Sequence, residues 1–262
     1  MLKVLKFFYS IWTVLSFLVL TIPMAIGYLL LKLIPYKLQI NGVYIINRAA
    51  IFIWSVVVGM RYKIRGLENI VKDQTYVVVV NHINAADMMA TAYGQRVNAK
   101  PLVKRELTLI PGLGQLFSLM CLPVDRSSKE ARNASKVRML NELKQGISVL
   151  IFPEGTRNRT KDPLIPFYDG AFELAIDAQV PILPVVLTNI RKINRVDTLL
   201  VQPGTLEITH LTPIKTTGMH IHQLEELKQR TFDAMKDYLL QHDEYFIRMA
   251  SEKKSSNFKF SP

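Results

Sequence analysis

The apolar positions of this chain fall into two regimes. Up to residue 60 they form long, nearly unbroken stretches; beyond it they come in short β-branched runs and helical periods. Residues 7–31 carry no charged side chain, and as a helix they would reach about 37 Å, more than the roughly 30 Å of a hydrocarbon core. Pro23 predicts a kink in that helix. A second apolar stretch, 49–60, follows polar breaks at Asn41-Gly42 and Asn47-Arg48 and is too short to cross a bilayer alone. Lys3, Lys6, Lys32, Lys37, Arg61, Lys63 and Arg65 flank the two stretches, which puts both ends and the connection on one, cytosolic side. The expectation is a membrane-embedded helical hairpin over 1–60 that dips into one leaflet. A single span over 7–31 is the alternative. A signal peptide cleaved near Ala25-Ile-Gly27 fits less well, because the apolar run continues through Leu29, Leu30 and Leu31.

Residues 61–250 read as an α/β domain. The run 76–80, Tyr-Val-Val-Val-Val, has the continuous β-branched character of a strand buried on both faces. Further strands are expected at 99–103, 148–152, 182–188 and 199–211, the last broken near Pro203-Gly204. Helices are expected at 85–96, 168–178 and 221–240. Another should run from a Ser127-Ser128 cap to Gly146, with Val137, Leu140, Leu143 and Ile147 on its apolar side. Strands alternating with helices at this spacing predict a largely parallel central sheet flanked by helices. The tail, 251–262, is polar and basic and reads as loose chain.

Charge narrows the partners. Lys and Arg number 33 against 21 for Asp and Glu, a formal charge of +12, which suits an anionic surface or substrate. The single cysteine, Cys121, excludes an internal disulfide and lies in an apolar context, Leu119-Met-Cys-Leu-Pro123, that reads as packing.

Chemistry is concentrated just beyond two of the strands, where α/β folds bind ligands. The first run ends in Asn81-His82, with Asp87 five residues on. If His82 lies in the loop and Asp87 in the first helical turn, Asp87 can accept from Nδ1–H and leave Nε2 free to take a proton. The same spacing also suits a capping histidine with a first-turn aspartate at a helix dipole. The second site is Phe152-Pro-Glu-Gly-Thr-Arg157. There Pro153 ends a strand, Gly155 permits close backbone approach, and Arg157 offers a planar fork to a phosphate or carboxylate.

Taken together, Asn81-His-x₄-Asp87 and Phe-Pro-Glu-Gly-Thr-Arg157 resemble the glycerolipid acyltransferases. Lys104-Arg-Glu-Leu107 through Pro111-Gly112 to Val124-Asp-Arg126 is similar to the family's second block, and Val180-Pro-Ile-Leu-Pro184 to its fourth. The likeness covers roughly residues 60–215 and departs at Ile83-Asn84, where the family usually has Gln-Ser. It implies an α/β acyltransferase domain in which His82, oriented by Asp87, deprotonates the free sn-2 hydroxyl of lysophosphatidic acid. The oxygen then attacks the thioester of acyl-CoA or acyl carrier protein. Arg157, with Lys104 and Arg126, would hold the acceptor's phosphate, and Glu154, Gly155 and Thr156 would shape its site. Backbone N–H groups near His82 are candidate oxyanion donors. No cofactor or metal is implied, and the partners expected are the two substrates and a phospholipid membrane, not nucleic acid.

Other signals carry less. Asn158-Arg-Thr160 and Asn133-Ala-Ser135 match the glycosylation pattern, which a cytosolic face makes accidental. His220-Ile-His222 has metal-ligand spacing without accompanying ligands. Two other readings stay open: the same chemistry on another lysolipid, and an inactive membrane lipid-binding protein.

Overall fold

The computed structural model describes residues 3–84, 86–110, 113–125, 127–193 and 200–258. The chain opens with α1 (Lys3–Leu31) and α2 (Tyr36–Val58), an antiparallel helical hairpin. Then come β1 (Arg61–Arg65), β2 (Val77–Val80), α3 (Ala86–Gly94), β3 (Ala99–Lys104), α4 (Leu113–Met120), β4 (Leu122–Val124), α5 (Lys129–Lys144) and β5 (Ser148–Ile151). The remainder is α6 (Gly170–Ala178), β6 (Ile182–Thr188), α7 (Ile190–Ile193), β7 (Thr205–His210), α8 (Leu224–His242) and α9 (Glu244–Phe258).

The strands form one sheet in the order β1-β7-β6-β2-β5-β3-β4. Every neighbouring pair is parallel except β6 with β7. Pro184 sits mid-strand in β6 without breaking it. The antiparallel ladder with β7 begins only at Val185, and Pro184 contributes its carbonyl, which accepts from Leu211 N–H at 2.8 Å.

Alternation along β2 divides the core in two. Val77 and Val79 pack with α5, α6 and α8 on one face, and Val78 and Val80 pack on the other with α3 and with Trp54 and Val58 of α2. The hairpin is therefore joined to the α/β body: α2 completes the second face of the sheet. Tyr9 Oη donates to Val58 O at 2.6 Å and Trp54 Nε1 to Thr13 O at 3.2 Å, zipping α1 to α2. Outward, α1 exposes Phe8, Leu18, Val19 and Ile22. Both helices are long and apolar enough to cross a membrane.

Several expectations need revision. The second hairpin element is a full helix of 23 residues, longer than the short apolar stretch expected. Its polar breaks lie inside the helix because they face protein: Asn41 bonds Asn98, and Asn47 bonds the Tyr28 hydroxyl. At Gly42 an added Cβ would stand 2.3 Å from Leu31 Cδ2, so the Leu31 side chain packs into the space a side chain would take. Strand β1 was not anticipated; its alternating exposure is that of an edge strand. Val137 faces solvent at 55% exposure, whereas Leu140, Leu143 and Ile147 turn inward as expected, joined by Met139, behind the expected Ser128 cap. The expected strand at 199–211 begins only at Thr205, and residues 194–199 lie outside the described residues. Nor is the tail loose up to residue 258, because α9 continues that far, with an Arg248–Glu252 pair one turn apart.

Candidate active site

β2, β5 and β3 are parallel neighbours, so their carboxyl ends share one rim. His82 leaves β2 there, the 152–157 loop leaves β5, and exposed Lys104 ends β3. Asn81 fixes the exit of β2. Its fully buried amide donates Nδ2–H to Leu187 O at 3.0 Å and accepts from Leu187 N–H at 2.8 Å, imitating a strand residue beside β6.

Past that point the chain folds back on Asp87. Oδ2 accepts from Ile83 N–H at 2.5 Å and Asn84 N–H at 2.9 Å and lies 2.7 Å from His82 Nδ1. Asn84 Oδ1 accepts from Ala86 N–H at 2.8 Å and starts α3. The turn is thus made by the Asp87 carboxylate, two backbone N–H groups and the Asn84 amide oxygen, so Ile83-Asn84 serve it where the family usually has Gln-Ser. Burial pushes the Asp87 carboxyl above the ordinary carboxylate range despite His82 and the two N–H groups, which pull it down. The imidazole stacks on Phe152, centroids 4.3 Å apart, and is 17% exposed, with no partner on Nε2 among the described residues. Such a histidine is oriented on one nitrogen and open on the other.

Loop 152–167 is strapped to this histidine from both sides. Asn158 N–H donates to His82 O at 2.7 Å. His82 N–H donates to Glu154 Oε1 at 2.8 Å, and Ile165 N–H to Glu154 Oε2 at 3.1 Å. Glu154 is 1% exposed, so its carboxylate ties loop to loop and lines no open surface. Gly155, at φ 66°, supplies the left-handed turn that leaves Gly155, Thr156 and Arg157 exposed. Lys104 and Arg157 are both unpaired among the described residues, whereas neighbouring Arg105 is held by Asp125 at 2.7 Å. Arg126 lies outside the described residues.

Sequence reasoning missed three supports. Asn158, set aside as an accidental glycosylation match, is fully buried, and its Oδ1 accepts from Thr160 N–H at 2.9 Å and Thr160 Oγ1–H at 2.7 Å. The Asn-x-Thr pattern itself was the available signal, since it also marks an Asx turn. Arg191 donates to Thr160 O at 2.9 Å and Asp162 O at 3.3 Å, under the rings of Tyr245 and Phe246. Asn81 stood in the motif without a role. The suggested oxyanion donors need correction: the N–H groups of His82, Ile83 and Asn84 are all committed to carboxylates. Cys121 is buried, and burial pushes its thiol up to about 12, consistent with packing.

Burial also raises Glu154 to about 7, against the pull of the His82 and Ile165 N–H groups. Folded protein therefore binds more protons than unfolded chain between the ordinary value of 4.5 and about 7. The Glu154 contribution is fully present below that window and is lost as pH rises through it. Denaturant titrations at pH 5 and pH 8 should show wild type losing on the order of 2 kcal/mol more than Glu154→Gln over this span. Parallel losses in both proteins would refute the assignment.

The Acyltransferase family model matches residues 61–188. An uncharacterized acyltransferase of Schizosaccharomyces pombe is 31% identical over 214 residues, which span 79% of this chain and 75% of that protein. The chain belongs to the acyltransferase family. A 1-acyl-sn-glycerol-3-phosphate acyltransferase of Limnanthes douglasii is 29% identical over 244 residues, 90% of this acyltransferase and 80% of the plant protein. The mouse 1-acyl-sn-glycerol-3-phosphate acyltransferase alpha is 32% identical over 168 residues, 62% and 57% of the respective chains. The crystal structure of the 1-acyl-sn-glycerophosphate (LPA) acyltransferase PlsC from Thermotoga maritima superposes with a TM-score of 0.75 at 20% identity. The match covers 93% of the acyltransferase and all of that chain, so the two share a fold.

Proposed function

We propose that this acyltransferase moves an acyl group from acyl-CoA or acyl carrier protein to the sn-2 hydroxyl of 1-acyl-glycerol-3-phosphate, giving phosphatidic acid. The observation that carries the reading is the His82 Nδ1–Asp87 Oδ2 contact of 2.7 Å at the rim from which the Arg157 loop also springs. His82 Nε2 takes the hydroxyl proton as the oxygen attacks the thioester carbonyl. The tetrahedral intermediate then collapses, and the thiolate leaves with a proton returned by the imidazole. Arg157 and Lys104, cationic and unpaired among the described residues on the same rim, receive the acceptor's phosphate. The hairpin holds that rim at the cytosolic face of a membrane, where the one-chain acceptor keeps its tail in the lipid and thioesters arrive from the cytosol. No cofactor is required.

The test supplies membranes containing the protein with radiolabelled acyl-CoA or acyl carrier protein and a panel of lysolipids, with His82→Ala as control. Label should appear in phosphatidic acid alone. Label in a different phospholipid would move the acceptor assignment, and no His82-dependent product would end the catalytic reading. Arg157→Ala should raise KM for the phosphorylated acceptor about 10- to 100-fold, the value of a charge-assisted contact. KM for the thioester should stay within about threefold, and equal rises for both substrates would contradict the role given to Arg157.

A further inference from the structure

A cavity of about 300 Å³ lies between the hairpin and the C-terminal end of α3, and no residue of the catalytic loops lines it. Ile45, Arg48, Ala49 and Phe52 line it from one stripe of α2, at helical spacing, and Tyr93 closes it from α3. Phe52 and Tyr93 stack across it with centroids 6.5 Å apart.

Arg48 is out of place there. No aspartate or glutamate precedes Glu68, so the hairpin holds no carboxylate for it. Among the described residues Arg48 has no ion pair. Its Nε is buried without an acceptor, and Nη1 has only a long contact of 3.4 Å to the Tyr44 hydroxyl. That hydroxyl gives its own proton to Gln95 O at 2.6 Å, and the Arg48 guanidinium stands 5.5 Å from the Tyr44 ring centroid, so its partners are neutral ones. Gln95 adds a second buried donor without a partner, its Nε2, and the Arg96 guanidinium stands 5.9 Å from the Tyr93 ring. Among the described residues the neighbourhood thus offers donors and positive charge, with neutral acceptors and no carboxylate. Above and below Arg48 the same stripe is apolar and open: Ile45 is 64% exposed, Phe52 53% and Val56 67%. A guanidinium on an apolar membrane-facing helix is costly unless an anion meets it.

We propose, resting on the membrane setting given above, that this groove seats an anionic glycerophospholipid of the surrounding leaflet. Its phosphate meets the Arg48 fork, and its acyl chains lie along Ile45, Phe52 and Val56. The fork and the chain track together select a phosphate that carries lipid tails. The residues that form it are not those of the acceptor site.

Native mass spectrometry of protein released from phosphatidylcholine vesicles doped with dialkyl-ether phosphatidic acid tests this. The His82→Ala background keeps turnover out of the readout, so the result does not depend on the catalytic assignment. Wild-type hairpin should retain phosphatidic acid over phosphatidylcholine. Arg48→Gln should lower that retention about tenfold or more, and Ala49→Phe, which fills the groove without removing the charge, should lower it too. Arg157→Ala, which weakens the rim's own hold on phosphatidic acid, should leave the part of the retention that depends on Arg48 unchanged. Retention that survives both groove substitutions, or that Arg157→Ala abolishes, would overturn the site. Displacement of the lipid by millimolar inorganic phosphate would also overturn it, since it would mean that the groove recognises phosphate alone.

Discussion

His82→Ala is expected to lower kcat by about 10²–10⁴, the usual contribution of a positioned general base, with acceptor KM little changed. The imidazole is free to do this work on one nitrogen alone. Nδ1 is held by Asp87, and the ring leans on Phe152. Removing it should cost little stability, because Asp87 keeps the N–H groups of Ile83 and Asn84 as partners. Steady-state acyl transfer, read beside a thermal melt of the same preparation, checks both halves. A variant that melts like wild type and turns over within tenfold would remove His82 from the base role.

Asp87→Asn should do as much damage without removing any side chain that meets substrate. The expected loss in kcat is about 10⁴, the magnitude for amidating the aspartate of a buried Asp–His pair. The amide has the carboxylate's shape and can offer only one oxygen where Oδ2 now serves Ile83, Asn84 and His82 together. An NH₂ turned towards Nδ1 would make that nitrogen an acceptor and place the proton on Nε2, the wrong tautomer for a base. Asp87→Glu keeps the charge but not the fit, since the site is fully buried, and should recover little. The kcat of each variant, with circular dichroism to confirm folding, decides the matter. Asp87→Asn activity near wild type would mean that the carboxylate does not orient the histidine.

Legibility followed the range of the interaction. The His82–Asp87 pair was readable because five residues of one loop hold it, and the strand before it because four valines in a row fit a strand buried on both faces. The role of Glu154 was not readable. As a motif member it looked like part of an acceptor site, yet its carboxylate spans 72 residues to reach the His82 N–H. Arg191 was invisible for the same reason: its partners Thr160 and Asp162 are about 30 residues away, and nothing local distinguishes it from a surface arginine. In α2, Asn41 and Asn47 looked like breaks because hydropathy does not say which face will meet a polar partner.

By itself the sequence determined the alternating character of the α/β domain and most of its central strands, the apolar hairpin and the residues at the two strand exits, since periodicity and turn chemistry act within a few residues. Tertiary structure alone decided that the hairpin closes one face of the sheet, that Glu154 and Asn158 bind the second loop to the histidine, and that Arg48 has no counter-ion among the described residues. Those outcomes depend on which distant groups are brought within hydrogen-bonding distance once water is excluded, and only the assembled fold specifies that.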